Sequence, residues 1–196
     1  MSKEQAKPQT PIDVLVLGEH PAGYLVAALL RHKTKLRIVH AGIPGEDDVK
    51  DRLVTINPQL FDLHPLLGGL KRKLNLTGVH GISFFADDPE THSEYRAKSI
   101  VSYVARFKSV RDEMAKIADA EGVERVTPSA IKIHRLDETG LDATLGKTTV
   151  RATALVLAGQ LAPDQHALLG LPDSWGPDVV HRFTFTRCKA AKAIDT

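Results

Sequence analysis

Cysteine is nearly absent from this chain, which has 196 residues and a single cysteine, Cys188. One cysteine excludes an internal disulfide framework and fits a reducing compartment. The sequence also lacks an apolar run long enough to span a bilayer, and its N-terminus lacks the hydrophobic segment of a signal peptide. We therefore expect a cytoplasmic protein without a membrane span.

An excess of one charge is missing as well, because 26 Lys and Arg against 24 Asp and Glu leave a formal net charge of +2. The basic residues are dispersed, so we expect no nucleic-acid partner. The nine histidines show no spacing typical of a metal site, and no serine or cysteine lies in a nucleophile motif. The sequence predicts no metal site and identifies no catalytic residue.

What the sequence does contain, near its N-terminus, is a strand followed by a glycine turn and a helix. Four of the five residues from Asp13 to Leu17 are aliphatic, which predicts a parallel strand covered on both faces. Gly18 follows at once, and the Ala-, Val- and Leu-rich run after it suits a helix. The unpaired N–H groups at the start of such a helix favour a phosphate. Pro21 fits the first helical position, and Gly23 allows close packing on the strand.

This turn departs from the dinucleotide-binding fingerprint at one position. The fingerprint Gly-x-Gly-x-x-Gly here reads Gly18-Glu19-His20-Pro21-Ala22-Gly23. His20 stands where a missing side chain normally lets the backbone approach the pyrophosphate. Its side chain must swing aside, displace the phosphate or leave the site empty. The alternative interpretation is a βα unit that has kept its packing and lost its ligand.

A second parallel strand is predicted at Leu36–Val39. His40 follows it directly, close to the place where an acidic residue about twenty positions beyond the glycines bonds the ribose hydroxyls. A histidine can make one hydrogen bond there but cannot act as a bidentate carboxylate does. The alternative is a surface histidine at a strand end.

The later part of the chain predicts one long helix and further strands. An apolar stripe predicts a helix from Ser99 to Glu121, and Val123–Val126 leads out of it as a strand. Gly81 to Phe85 is predicted as a short strand and Asp87 to Arg96 as a loop. Alternation and turn signals predict a β-meander from Ala130 to Arg151.

The predicted fold class is α/β, with a Rossmann-like parallel sheet and an antiparallel meander on one side. Ala152 to Ala158 is a further buried strand, with its aliphatic centre at Ala154–Ala158. We expect the parallel sheet to combine this strand with Asp13–Leu17 and Leu36–Val39.

Val-Leu-Gly-x-x-Pro-Ala-Gly, at Val16 to Gly23, and Ala27 four residues beyond resemble the N-terminus of FAD-dependent oxidoreductases. The resemblance is greatest to aromatic-ring hydroxylases, flavin-dependent halogenases and geranylgeranyl reductases, and it covers roughly Ile12 to Gly159. It implies an FAD/NAD(P)-binding domain in which this turn carries the ADP half of FAD.

The resemblance also implies a set of cofactor-binding residues. They are Gly18, His20, Pro21, Ala22, Gly23, His40, Arg106, Ala130, Ala158 and Gly159. Those families place an arginine early in the helix after the first strands, against the FAD phosphates, which implies Arg106 or alternatively Arg111. Ring hydroxylases usually carry Asp-Gly-x-x-Ser-x-x-Arg where this chain has Ala158-Gly159, which disfavours pyridine-nucleotide-dependent hydroxylation.

Three segments are expected: a disordered lead-in at 1–11, the FAD/NAD(P)-binding domain at 12–172, and at 173–196 the start of a substrate domain or an unanchored tail. No match to the family's second FAD motif is found. A fragment, or a chain that a homo-oligomer or another partner completes, is therefore an open alternative. The function expected is that of an FAD-dependent oxidoreductase acting on a small molecule. The alternative is a non-catalytic Rossmann-like module that has lost dinucleotide binding.

Overall fold

The computed structural model describes residues 11–43, 52–85, 90–159 and 163–171. All but Pro11 of the predicted lead-in, and the whole of the predicted segment 173–196, lie outside the described residues. Within them, none of the helices is long and apolar enough to cross a membrane.

The described residues form eleven strands, four α-helices and two short 3₁₀ helices. The strands are β1 (Ile12–Leu17), β2 (Ile38–Ala41), β3 (Leu53–Ile56), β4 (Thr77–Val79), β5 (Gly81–Phe85), β6 (His92–Arg96), β7 (Ser102–Arg106), β8 (Glu124–Val126), β9 (Ile131–Asp137), β10 (Gly140–Leu145) and β11 (Thr148–Leu157). The helices are α1 (Pro21–Lys33), α2 (Leu70–Lys73), α3 (Phe107–Ala120) and α4 (Pro163–Leu168), and the 3₁₀ helices are Pro58–Asp62 and Pro65–Leu67.

The main sheet has six strands in the order β8-β2-β1-β11-β10-β9. The first four strands run parallel, and β10 and β9 extend the sheet as an antiparallel meander. In the centre of the sheet, Leu15 lies opposite Val39 on one side and Leu155 on the other. The predicted α/β fold, a parallel sheet with an antiparallel meander, is confirmed.

Strand β1 is covered on both faces, as its lack of alternation predicted. Val14 and Val16 pack into a core with helices α1 and α3. Leu15 and Leu17 pack into a second core with residues of the meander, among them Ile133. Residues of the strand therefore alternate between two apolar environments, and a side chain on either face is buried.

The turn after β1 touches the end of β11 so closely that only glycine fits. Gly18 has a φ of +116°, and a Cβ built on it would overlap the carbonyl group of Ala158. The His20 N–H donates to the Ala158 oxygen at 3.1 Å, and the Ala158 N–H donates to the Leu17 oxygen at 2.6 Å. The beginning of α1 is therefore fixed to the carboxyl end of the neighbouring parallel strand.

The second parallel strand lies two residues later than predicted. Leu36 is exposed, whereas β2 begins at Ile38 and ends at Ala41, so that His40 lies inside the strand. The pairing of β2 with β1 explains the shift. Ile38 lies opposite Val14 and Ala41 lies opposite Leu17, so the two parallel strands end side by side. A polar residue at the end of an aliphatic run gives no local sign that it is buried.

The predicted helix from Ser99 to Glu121 is correct only from Phe107 onward. Ser102–Arg106 is strand β7, in which Tyr103 and Ala105 are buried, and it pairs with β3 and β4. Apolar residues of this strand lie at spacings that also fit a helix, and its partners are distant in the sequence. The loop predicted from Asp87 to Arg96 is wrong at His92–Arg96, which is strand β6 and pairs with β5.

We expect replacing Gly18 by alanine to lower the free energy of unfolding by at least about 2 kcal/mol, because the Cβ meets backbone atoms and the φ is unfavourable. Gly69→Ala is the matched control, since a Cβ there has no atom within 4 Å and its φ is −84°. Urea unfolding followed by circular dichroism measures both variants. A Gly18→Ala protein as stable as Gly69→Ala would contradict the assigned contact.

Candidate functional site

The N-terminus of α1, at the fingerprint turn, is capped by the residue that breaks the fingerprint. His20 is the N-cap residue, with φ −71° and ψ 138°, and its Nδ1 accepts a hydrogen bond from the Ala22 N–H at 3.2 Å. The imidazole therefore takes the acceptor role that Ser or Asp usually has at this position. This role requires a neutral ring with its proton on Nε2.

Little of the turn's N–H capacity is left for a ligand. Pro21 has no N–H, the Ala22 N–H goes to the His20 ring, and the Gly23 N–H donates to the His20 carbonyl at 2.9 Å. The Gly18 N–H donates to the Ala41 oxygen at 3.0 Å. A phosphate at this helix would have to replace the imidazole as the partner of Ala22.

A second residue of the turn, Glu19, lies over the end of strand β2. Its Oε1 would overlap a Cβ on Gly42, so the missing side chain at Gly42 makes room for the carboxylate. Its Oε2 accepts a hydrogen bond from the Tyr24 hydroxyl at 2.5 Å. Sequence reasoning did not single out Glu19, because nothing local shows that Gly42 lies beneath it.

His40 lies beneath this region and does not reach the surface. It is 1% exposed, and its ring stacks on the Tyr24 ring with centroids 4.0 Å apart. The interpretation of His40 as a surface histidine is therefore wrong. Its Nε2 is a buried nitrogen for which the described residues supply no hydrogen-bond partner.

Burial keeps His40 neutral. Desolvation, and then the positive charge of Arg125 on the neighbouring strand, lower the pKa of His40 to about 4. The Gly18 carbonyl and Asp119 oppose this shift, and Asp119 itself forms an ion pair with Arg125 at 2.7 Å. The Arg125 guanidinium also lies 5.3 Å from the Tyr24 ring centroid.

Basic side chains gather where α3 begins, near His20. Arg106 is the last residue of β7 and the N-cap residue of α3. The Arg52 guanidinium lies 4.6 Å above the Phe107 ring, whose centroid is 5.7 Å from that of His20. The alternative candidate, Arg111, is largely buried and contacts Asp112 at 3.2 Å. Sequence reasoning missed Arg52, because only the pairing of β3 with β7 brings it to this place.

The remaining predicted residues divide between two places. Ala158 and Gly159 lie against the Gly18 turn, and a Cβ on Gly23 would stand 2.5 Å from the Ala158 Cβ. Ala130, in contrast, belongs to the meander, where its carbonyl accepts a hydrogen bond from the Gly146 N–H at 2.7 Å. The turn residues and the end of β11 are thus brought together, whereas Ala130 bonds to the meander.

An apolar groove of about 380 Å³ opens beside the start of α1. It is lined by the first residues of α1, by β3, and by an apolar face of α3 that contributes Phe107, Val110 and Met114. His20 lines this groove as well, and it is also the N-cap residue of α1. The groove is therefore adjacent to the N-terminus of the helix. A ligand with both an anionic and an apolar part would suit this arrangement.

Solved structures of monooxygenases share this arrangement of strands and helices. A p-nitrophenol 4-monooxygenase from Pseudomonas putida is 15% identical, with a TM-score of 0.65, over 83% of this chain and 44% of that one. A probable FAD-dependent monooxygenase from Pseudomonas aeruginosa is 18% identical, with a TM-score of 0.62, over 90% and 48%. The chain has the fold of FAD-dependent oxidoreductases.

The halogenase PltM has this fold too, at 21% identity and a TM-score of 0.58, over 80% of this chain and 37% of that one. The chain spans 35% of the length of the Diels-Alderase PyrE3 and 54% of that of the amino acid oxidase NikD, which it also resembles. No protein-family model and no curated protein matches it. The likeness to flavoenzymes predicted from the sequence is therefore confirmed at the level of the fold.

We expect the buried, neutral His40 to make stability depend on pH. Its pKa is about 4 in the folded chain and near 6.5 when exposed, so the unfolded state alone takes up a proton between these values. Stability is therefore lost as the pH falls through this window, by about 2 kcal/mol between pH 7 and pH 5. Urea unfolding at the two pH values measures the difference.

His40→Leu should remove this part of the pH dependence, whereas His134→Gln, at an exposed histidine of β9, should leave it unchanged. A His40→Leu protein that loses as much stability as the unmodified chain between pH 7 and pH 5 would show that another group is responsible.

Proposed function

We propose that this chain binds FAD and is the FAD-binding portion of an FAD-dependent oxidoreductase of monooxygenase, halogenase or reductase-like type. The observation that carries the proposal is the Gly18 turn, where a buried strand ends in a glycine with a φ of +116° and α1 begins three residues later. Strand, tight turn and helix N-terminus form the place where dinucleotide-binding folds hold a pyrophosphate. The likeness to a probable FAD-dependent monooxygenase supports FAD as the dinucleotide.

The residues of the site fit this cofactor. Gly18 and Gly23 lack a side chain where the turn meets Ala158, and the apolar groove at His20 suits a flat ring system. The turn from Gly18 to Gly23 would hold the pyrophosphate, with Arg106 as a cationic neighbour. When bound, FAD supplies the electron transfer, and the chain supplies binding, orientation and electrostatics.

One observation favours a second candidate, a Rossmann-like module that no longer binds a dinucleotide. The His20 imidazole already accepts the Ala22 N–H, so the helix N-terminus is satisfied within the chain. If no cofactor displaces the imidazole, the turn is a structural joint between β1, α1 and β11. The two candidates differ in one respect, which is whether a phosphate displaces the His20 imidazole from the Ala22 N–H.

The sequence supports proposals on the compartment, the substrate, the partners and the type of reaction. A single cysteine and a dispersed charge are typical of a cytoplasmic protein. We propose a small-molecule substrate and a homo-oligomer or a further partner chain. Ala158-Gly159 in place of the ring-hydroxylase motif directs the choice towards halogenase- or reductase-like chemistry.

An absorbance spectrum of the purified chain tests the proposal directly. We expect a yellow protein, or a colourless one that takes up added FAD with a shifted flavin absorbance and quenched fluorescence. A protein that stays colourless after incubation with FAD at high concentration would support the module without a dinucleotide.

Replacing His20 by glycine should tighten FAD binding by about tenfold, because it frees the Ala22 N–H for a charged phosphate and opens the middle position of the turn. Glycine at an N-cap costs the helix only a few tenths of a kcal/mol, so the fold should persist. Fluorescence titration with FAD measures the affinity.

His64→Gly is the matched control, since His64 also precedes a proline and its Nδ1 accepts the Leu66 N–H at 3.3 Å. It should leave the FAD affinity unchanged. Equal or weaker binding by His20→Gly would show that the imidazole does not compete with the phosphate.

A further inference from the structure

The end of strand β2 lacks the polar side chain that a dinucleotide would need there. In dinucleotide-binding folds, an acidic residue at this place bonds the hydroxyls of the adenosine ribose. Here the strand ends at Ala41, Gly42 follows it, and His40 is buried beneath the Tyr24 ring. Strand β2 itself therefore offers no carboxylate to a ribose.

A carboxylate stands at this place nevertheless, and it comes from the turn. Glu19 Oε1 lies so close to Gly42 that the Cβ of any other residue at position 42 would overlap it. The Gly42 N–H donates to the Val126 oxygen at 3.1 Å, so this glycine joins the ends of β2 and β8. Glu19 thus places its charge over the carboxyl ends of two parallel strands, which is where open α/β sheets bind their ligands.

The carboxylate is held in position from below. Tyr24 is 1% exposed and donates its hydroxyl hydrogen to Glu19 Oε2 at 2.5 Å. The Tyr24 ring is in turn fixed by the stacked His40 ring. Burial and the hydrogen bond to Glu19 raise the pKa of Tyr24, so that it remains a donor at every physiological pH.

We propose that Glu19 is the ribose-binding carboxylate of this chain and accepts hydrogen bonds from the vicinal 2′- and 3′-hydroxyls of an ADP moiety. The inference rests on the proposed function, and it names the part of the dinucleotide that this end of the sheet recognises. Tyr24 is a positioning residue, because it acts through Glu19. Gly42 contributes by having no side chain.

This assignment restricts the class of ligand. A carboxylate accepts from two hydroxyl groups, whereas it repels a 2′-phosphate. The chain should therefore bind ADP-containing cofactors with an unmodified ribose and discriminate against 2′-phosphorylated ones.

The test compares the binding of ADP and 2′-deoxy-ADP by isothermal titration calorimetry. The unmodified chain should bind ADP about tenfold more tightly, because the deoxy compound lacks a hydrogen bond to a charged group. Glu19→Gln should reduce this preference to near one and weaken the binding of FAD about tenfold. Gly42→Ala should have the same effects although residue 19 is still glutamate, because the added methyl group displaces the carboxylate.

Glu138→Gln, at an exposed glutamate between β9 and β10, is the control and should keep the preference. Equal binding of ADP and 2′-deoxy-ADP by the unmodified chain, or an unchanged preference in Glu19→Gln, would overturn the assignment while FAD binding still upheld the proposed function. Tighter ADP binding by Glu19→Gln would overturn it too, since the carboxylate would then obstruct the site. If neither FAD nor ADP binds to the unmodified chain or to His20→Gly, both proposals fail.

Discussion

The contact between the Gly18 turn and the end of β11 is the constraint on which the rest of the structure depends. Backbone hydrogen bonds tie the turn to Ala158 on one side and to Ala41 on the other. They can form only because Gly18 and Gly23 have no Cβ where Ala158 approaches. The direction of α1 follows from this contact, and so does the meeting of three parallel strand ends below its N-terminus. The loss of either glycine would disturb both the core and the site.

The same contact explains why this fold forms without a glycine at the middle position of the fingerprint. The turn needs no side-chain-free position at residue 20, because the backbone N–H of His20 makes the bond to Ala158 and its side chain lies over the helix end. Packing therefore constrains Gly18 and Gly23, whereas only the approach of a ligand constrains the middle position. A histidine at this position gives the Ala22 N–H an acceptor within the chain, but it does not move the N-terminus of α1.

The sequence allowed prediction of those features that depend on neighbouring residues. β1, the parallel pairing of β11 and the meander follow from aliphatic runs, alternation and turn residues, and the glycine turn follows from its own six residues. The burial predicted for Ala152 to Ala158 is wrong except at Ala152, because Ala154 is exposed and Leu155 to Ala158 are only partly buried. The helix predicted from Ser99 was wrong up to Arg106, because β7 is a strand only through its pairing with β3 and β4. His40 was placed after its strand for a similar reason, since its burial depends on Tyr24 from α1. Arg52 and Glu19 reach the site through contacts with residues far along the chain or across the sheet, which no local pattern records.

The departures from the fingerprint at the turn and at the end of β2 are physically connected. A carboxylate at position 40 would be buried against the Tyr24 ring and would pay a large desolvation cost, whereas a neutral imidazole can stack there. The imidazole supports the ring, the ring orients Glu19 through its hydroxyl, and Gly42 leaves the space that the carboxylate fills. The negative charge that other folds place on the strand is thus carried by the turn, one residue before the histidine that caps the helix. The position of the Glu19 carboxylate therefore depends on His40 and Tyr24 beneath it and on the missing side chain of Gly42 beside it.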